Sequence, residues 1–201
     1  MSKIGILGGT FNPIHNGHIL LGEYCKQQLG LDKIILIPTY TPPHKESKYL
    51  VDEEHRLNMC KLSTLNYQNY EVSDIEMKRK GKSYTYETLI SLKELYPCDT
   101  LYLIVGADMF LTLDKWKNPE SIFRDATIVA VPRDESDKEE LTAYYEEVIK
   151  KLGAKAVILE KPVMQVSSTF IRANIDNYEK IKTLIDSNVY EYIEKNNLYR
   201  K

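Results

Sequence analysis

The sequence predicts an α/β fold: a doubly wound parallel sheet with right-handed crossovers that continues into a C-terminal helical segment. Three observations carry this. Short continuous apolar runs recur along the chain, and such runs suit parallel strands covered on both faces, whereas half-exposed strands alternate apolar with polar residues. Those runs alternate regularly with longer helical patterns, the arrangement that yields a parallel sheet with helical crossovers. After Ser167 only helical patterns remain.

Residues 3–7 (KIGIL) form the first strand, followed by glycines and a helical pattern from Asn16 to Leu29. Residues 33–37 (KIILI) form the second strand, which Pro38 ends. A helix over 52–65 opens at Asp52 with acidic residues in its first turn, where the helix dipole favours them. A weaker strand covers 70–77, and the basic stretch KRKGK at 78–82 follows as an exposed loop. The next helix, over 85–95, places Leu89, Leu92 and Leu95 on one face. Residues 100–105 (TLYLIV) form a strand that runs into Gly106, Ala107 and Asp108. Residues 127–131 (TIVAV) and 155–159 (KAVIL) form two more, and the intervening 134–150 is charged and helical. In the last helical pattern Val189, Tyr192 and Ile193 share a face. No repeat, low-complexity segment or linker interrupts the chain, so 1–201 reads as one domain with 167–201 as a helical subdomain.

Composition excludes several classes. Lys and Arg number 27 against 29 Asp and Glu, so no global positive field recruits nucleic acid. KRKGK lacks interleaved aromatics and is too short to track a polynucleotide backbone. Cys25, Cys60 and Cys98 are widely spaced, neither a disulfide framework nor a CxxC metal site, and are expected to be reduced thiols. The opening MSKIGILGG carries a strand pattern where a signal peptide would carry a long apolar run. No stretch approaches about 18 uninterrupted apolar residues, so no membrane span is expected. A cytoplasmic chain follows from these readings. Homo-oligomerisation is left open.

In doubly wound sheets ligands bind beyond the carboxyl ends of the strands, and the informative motifs fall there. The first is GGTFNPIHNGH at 8–18. Gly8 and Gly9 allow a sharp turn off the strand and close approach of a ligand, and Pro13 fixes the path into the next helix. His15 and His18 are three apart and share a face at a helix start, where unpaired N–H groups suit phosphate. Other readings of the motif are weaker. His-x-x-His lacks a third zinc ligand at suitable spacing. A dinucleotide-binding redox site would need G-x-G-x-x-G and an acidic residue near the end of strand two, and the Walker A pattern is absent. The second motif is SSTFIR at 167–172, with Ser168 and Thr169 as helix caps and Arg172 in the first turn. A cation there opposes the helix dipole unless an anion sits against it. Two helix starts with such side chains suit a polyphosphate.

At this point GTFNPIHNGH resembles the T/HxGH signature of nucleotidyltransferases, and SSTFIR resembles their later S/T-x-x-x-R element. GADMFLTLDKW at 106–116 and PPHK at 42–45 extend the likeness to the bacterial nicotinate-nucleotide adenylyltransferases, from Lys3 to about Tyr192. The resemblance implies a Rossmann-like nucleotidyltransferase fold. It implies that Gly8, Gly9, Thr10, Phe11, His15 and His18 contact ATP, with Gly106 and Asp108 near its ribose or the junction of the substrates. Ser168, Thr169 and Arg172 would hold the ATP phosphates, leaving His15, His18 and Arg172 as the catalytic set. His44, Lys45, Thr85, Trp116 and Arg133 would serve the acceptor mononucleotide. Trp116, the only tryptophan, could stack on a pyridine ring. His44 and Lys45 follow two prolines in a stiffened loop suited to a phosphate clamp, and Arg133 follows Pro132 at a strand end. Two positions depart from the family pattern: Glu87 stands where Asp is common and Lys117 where an aromatic is common.

The implied reaction is AMP transfer from ATP to nicotinate mononucleotide, with Mg²⁺ held mainly through substrate oxygens and no protein metal cage. The acceptor phosphate is itself the nucleophile, so neither a covalent intermediate nor a general base is needed, and His15, His18 and Arg172 would neutralise the charge that builds up. The alternatives are nicotinamide mononucleotide or phosphopantetheine as acceptor, or a module that binds ATP without turnover.

Overall fold

The computed structural model describes residues 1–41, 49–134, 136–160 and 166–200. Six strands form one sheet: β1 (Lys3–Gly9), β2 (Lys33–Pro38), β3 (Tyr70–Val72), β4 (Thr100–Gly106), β5 (Thr127–Val131) and β6 (Ala156–Ile158), in the order β3-β2-β1-β4-β5-β6. β1 pairs parallel with β4 from Lys3↔Thr100, β4 with β5 from Tyr102↔Thr127, and β5 with β6 from Ile128↔Ala156. The order turns over between β1 and β4, and these two strands run into the motifs at 8–18 and 106–116.

The helices are α1 (Asn16–Leu29), α2 (Glu53–Ser63), α3 (Ile75–Arg79), α4 (Thr85–Leu95), α5 (Ala107–Phe110), α6 (Pro119–Asp125) and α7 (Asp137–Glu147). After β6 follow α8 (Ser168–Ala173), α9 (Tyr178–Ile181) and α10 (Ser187–Lys195), so the segment after Ser167 is helical as expected. None of the described helices is long and apolar enough to cross a membrane.

Two expectations are corrected. Strand β3 stops at Val72, and 75–79 is helical, so Lys78 and Arg79 of the basic stretch belong to α3 rather than to a loop. Glu, Met, Lys and Arg are all good helix formers, which outweighed the weak alternation. Leu89 and Leu92 are 1 % exposed but Leu95 is 63 % exposed. Each step of three residues falls about 60° short of a full turn, so by Leu95 the row has drifted off the buried stripe.

The chain divides into two compact units. One comprises Met1–Leu7, Gly22–Ile35 and Tyr84–Val163. Its strands are buried: Ile4, Ile34, Ile35, Ile128 and Val129 are fully inaccessible. A Cβ at Gly5 would lie 2.5 Å from Ile34 Cδ1 and 2.9 Å from Leu31 Cδ1, so these buried side chains would have to shift to admit one. Cys25 is buried and its thiol is pushed up to about 12 by loss of solvent.

The other unit comprises Gly8–Leu21, Leu36–Ser83 and Met164–Lys201. Helix α2 buries Arg56, Met59, Cys60 and Ser63, and α10 packs on α2 with Val189 and Ile193 fully buried. Tyr192 Oη lies 2.9 Å from His55 Nδ1 and accepts from Asn58 Nδ2 at 3.2 Å.

Candidate active site

In the second unit the segment after β1 builds a cluster around two imidazoles. Gly8 and Gly9 are the last residues of β1 rather than the turn itself. A Cβ on Gly8 would meet nothing within 4 Å, while one on Gly9 would lie 3.0 Å from the Phe11 ring. The reversal comes at Phe11, with φ 47, and the cis Asn12–Pro13 peptide. His15 immediately precedes α1 and His18 lies in its first turn. Their rings stack with centroids 3.7 Å apart and 19° between planes. Phe11 is 2 % exposed and meets His18 edge-on at 4.9 Å. Gly17 leaves room for this arrangement, since a Cβ there would sit 3.1 Å from His15 Nδ1 and from Val166.

The backbone N–H of His15 donates to Nδ1 of His18 at 3.2 Å, so Nδ1 of His18 is unprotonated and the neutral ring carries its proton on Nε2. Burial pushes His15 from 6.5 down to about 4. Burial foremost, and then the adjacent His15, holds His18 well below the usual imidazole range. Both rings are therefore neutral hydrogen-bonding groups at pH 7.

Helix α8 is fastened to this cluster. Its N-cap is Ser167, whose hydroxyl accepts from Phe170 N–H at 3.3 Å, not Ser168 or Thr169. Ser168 Oγ instead donates to the Pro13 carbonyl at 3.0 Å. Arg172 lies in the last turn of a six-residue helix, so the dipole conflict read from the sequence does not arise. Its Nη1 donates to the Asn12 carbonyl at 2.6 Å and its Nη2 to Thr169 Oγ1 at 3.1 Å. The imidazole pair and the late arginine are thus built into one unit.

A second arginine underlies the same loops. Arg56 is 1 % exposed. Its Nε donates to Val51 O at 3.1 Å, Nη1 to Thr10 O at 3.0 Å and to Thr39 O, and Nη2 to Tyr40 O at 3.0 Å. One guanidinium thereby ties the exits of β1 and β2 together. Thr10 contributes its carbonyl to this clamp.

In the first unit Gly106 caps α5 and begins the GAD turn, where a Cβ would meet open space. Asp108 is exposed and paired with Arg133, whose Nη1 lies 2.9 Å and 3.1 Å from the two carboxylate oxygens. Arg133 is also held from behind: Asp137 accepts its backbone N–H at 2.7 Å and its Nε–H at 3.4 Å. Trp116 follows a 3₁₀ turn at Leu113–Lys115, is partly buried, and donates from Nε1 to Thr112 Oγ1 at 3.3 Å. Tyr144 on α7 steadies that turn, donating to Asp114 Oδ1 at 2.6 Å and accepting from Asp114 N–H at 3.2 Å. Thr85 is the first residue of α4. Of the two departures, Lys117 places its Nζ 4.3 Å over the Tyr84 ring, and Glu87 accepts from Tyr86 Oη at 2.9 Å. His44 and Lys45 lie outside the described residues.

The cytidylyltransferase-like family model matches residues 6–174. A protein of Clostridium tetani, called a probable nicotinate-nucleotide adenylyltransferase, is 40 % identical over 100 % of both chains. One of Carboxydothermus hydrogenoformans with the same designation is 39 % identical over 99 % of this chain and 98 % of its own. The chain belongs to the nicotinate-nucleotide adenylyltransferase family. The fold agrees: the Plasmodium falciparum nicotinic acid mononucleotide adenylyltransferase solved with NaAD superposes with a TM-score of 0.76 at 23 % identity, covering 99 % and 98 % of the two chains.

For this member of the adenylyltransferase family, sequence reasoning missed Asn12, Arg56, Asp137 and Tyr144 as residues that brace the candidate side chains and their loops. Arg56 had a readable signal, an arginine three and four residues before Met59 and Cys60 on the buried stripe of a helix. Asn12 and Tyr144 join positions far apart in the chain, which no local pattern reports, whereas Asp137 meets Arg133 only four residues away.

Proposed function

We propose that this chain transfers AMP from ATP to nicotinate mononucleotide in the cytoplasm, giving nicotinate adenine dinucleotide and pyrophosphate. The observation that carries the reading is the fastening of Arg172 and Ser168 to the Asn12 and Pro13 carbonyls beside the stacked His15–His18 pair. That arrangement gathers a permanent cation and neutral N–H donors, the chemistry a triphosphate requires.

In the reaction an oxygen of the acceptor's 5′-phosphate forms a bond to the α-phosphorus of ATP. The bond from that phosphorus to the bridging oxygen breaks, and pyrophosphate leaves with the electron pair. The acceptor phosphate is already ionised, so no side chain has to remove a proton. His18 donates from Nε2 toward the α-phosphate, His15 supports it, and Arg172 balances charge on the leaving oxygens. Gly8, Gly9, Thr10 and Phe11 line the nucleotide, with Ser168 and Thr169 at its phosphates and Gly106 and Asp108 near the ribose. Thr85, Trp116 and Arg133, with His44 and Lys45, serve the acceptor. An Mg²⁺ ion held mainly through ATP oxygens and water would lower the charge of the phosphates.

The test is pyrophosphate release with ATP, Mg²⁺ and each of nicotinate mononucleotide, nicotinamide mononucleotide and phosphopantetheine. The nicotinate compound is expected to be fastest, and a faster rate with either other acceptor overturns the assignment. His18→Ala is expected to lower kcat on the order of 10²–10³-fold with a much smaller rise in KM for ATP. An unchanged kcat removes His18 from the chemistry.

A further inference from the structure

Helix α10 ends in a double reverse bond: Asn197 N–H donates to Glu194 O at 3.1 Å and Leu198 N–H to Ile193 O at 3.0 Å, with Asn197 at φ 50. Leu198 then packs inward at 8 % exposure. Tyr199 follows at φ 65, a conformation that bulky side chains rarely adopt and that persists only where the surroundings impose it. It brings the phenol Oη 2.9 Å from Asn12 Oδ1, across 187 residues of sequence. The Arg172 and Arg56 charges both act on this phenol.

Asn12 is 5 % exposed. Its Oδ1 also accepts Val51 N–H at 3.3 Å and its Nδ2 donates to Tyr49 O at 2.9 Å, so three bonds fix the amide. The main-chain carbonyl of the same residue accepts Nη1 of Arg172 at 2.6 Å. The chain of contact therefore runs from the phenol to the Asn12 amide, through its backbone to the guanidinium. Tyr199 lies beyond the segment matched by the family model, which ends at residue 174.

We infer that Tyr199 is a positioning residue for adenylyl transfer, holding Asn12 so that its carbonyl orients Arg172; this rests on the assignment of Arg172 to the ATP phosphates. Deleting the hydroxyl leaves Arg172 present but less firmly aimed, a loss felt in the transition state more than in ATP binding.

The experiment is a double-mutant cycle with Tyr199→Phe and Arg172→Ala, read by pyrophosphate release and by thermal melting. Tyr199→Phe alone is expected to lower kcat about three- to tenfold, the value of one lost hydrogen bond, with KM for ATP within about twofold. In the Arg172→Ala background the same change is expected to have no further effect, because its target is gone. An equal loss in both backgrounds assigns Tyr199 a purely structural part and overturns the inference, as does wild-type kcat in the single variant. If Tyr199→Phe loses its cooperative melt, Asn12→Ser breaks the same bond from the other side and goes through the same cycle. His18→Ala separates the two levels. Wild-type kcat there sinks the phosphate-site reading, whereas a collapsed His18→Ala beside an unaffected Tyr199→Phe sinks only this inference.

Discussion

Protonating His15 should cost this protein stability, and the loss can be isolated. The ring sits at about 4 in the folded chain against 6.5 when free. A group depressed in this way stabilises the fold above its unfolded value, and that contribution is lost as pH falls from about 6.5 toward 4, where the unfolded chain binds the proton more readily. At ~1.4 kcal/mol per tenfold change in proton affinity the full effect is about 3 kcal/mol, of which roughly 2.5 kcal/mol is gone by pH 4.5. Carboxylates titrate over the same range, so the wild type alone is not diagnostic. The assay is urea unfolding followed by circular dichroism at pH 7.5 and pH 4.5 for wild type and His15→Gln. The variant should lose about 2.5 kcal/mol less than wild type over that interval. Because His15 also helps depress His18, removing it shifts the second ring in the same direction. Equal losses within about 0.5 kcal/mol, the usual scatter between independent sites, would show that the pair is not held neutral by burial.

Two further expectations follow from single side chains. Arg56→Lys keeps the charge but cannot reach four carbonyls from a planar fork, so the urea midpoint should fall, by about 2–4 kcal/mol in stability; a midpoint like wild type would mean the clamp is dispensable. Tyr144→Phe removes the partner of Asp114 that steadies the turn before Trp116, and KM for the acceptor should rise about three- to tenfold with kcat for saturated enzyme little changed. Steady-state kinetics that leave this KM where it was would detach Tyr144 from acceptor binding.

Much of the fold was legible because its elements carry local signals. Ile34 to Ile37 read as a buried parallel strand, and α1 and α4 fall on the residues their periodicity marks, since a helical face or an apolar run is written in neighbouring positions. Short or end-dependent features were not legible. A five-residue helix at Ile75 offers barely one period, Leu95 fails by angular drift, and the choice of Ser167 over Ser168 as cap depends on backbone dihedrals. At the candidate site the glycines, the histidine pair and Arg172 stood out as residue types in a pattern. Their supports did not. Arg56 meets Thr10 across 46 positions and Tyr199 meets Asn12 across 187, and such partners are chosen by the fold, not by spacing.

The Arg133–Asp108 pair carries a consequence for how salt should influence binding. If Arg133 serves the acceptor as proposed, a guanidinium already paired with one carboxylate and braced by a second does not simply add an attraction when a phosphate arrives. Engagement becomes a trade of one anion for another, and the gain is the difference between two contacts of like kind. Affinity governed by such an exchange should respond weakly to ionic strength, because added salt loosens the old partner together with the new.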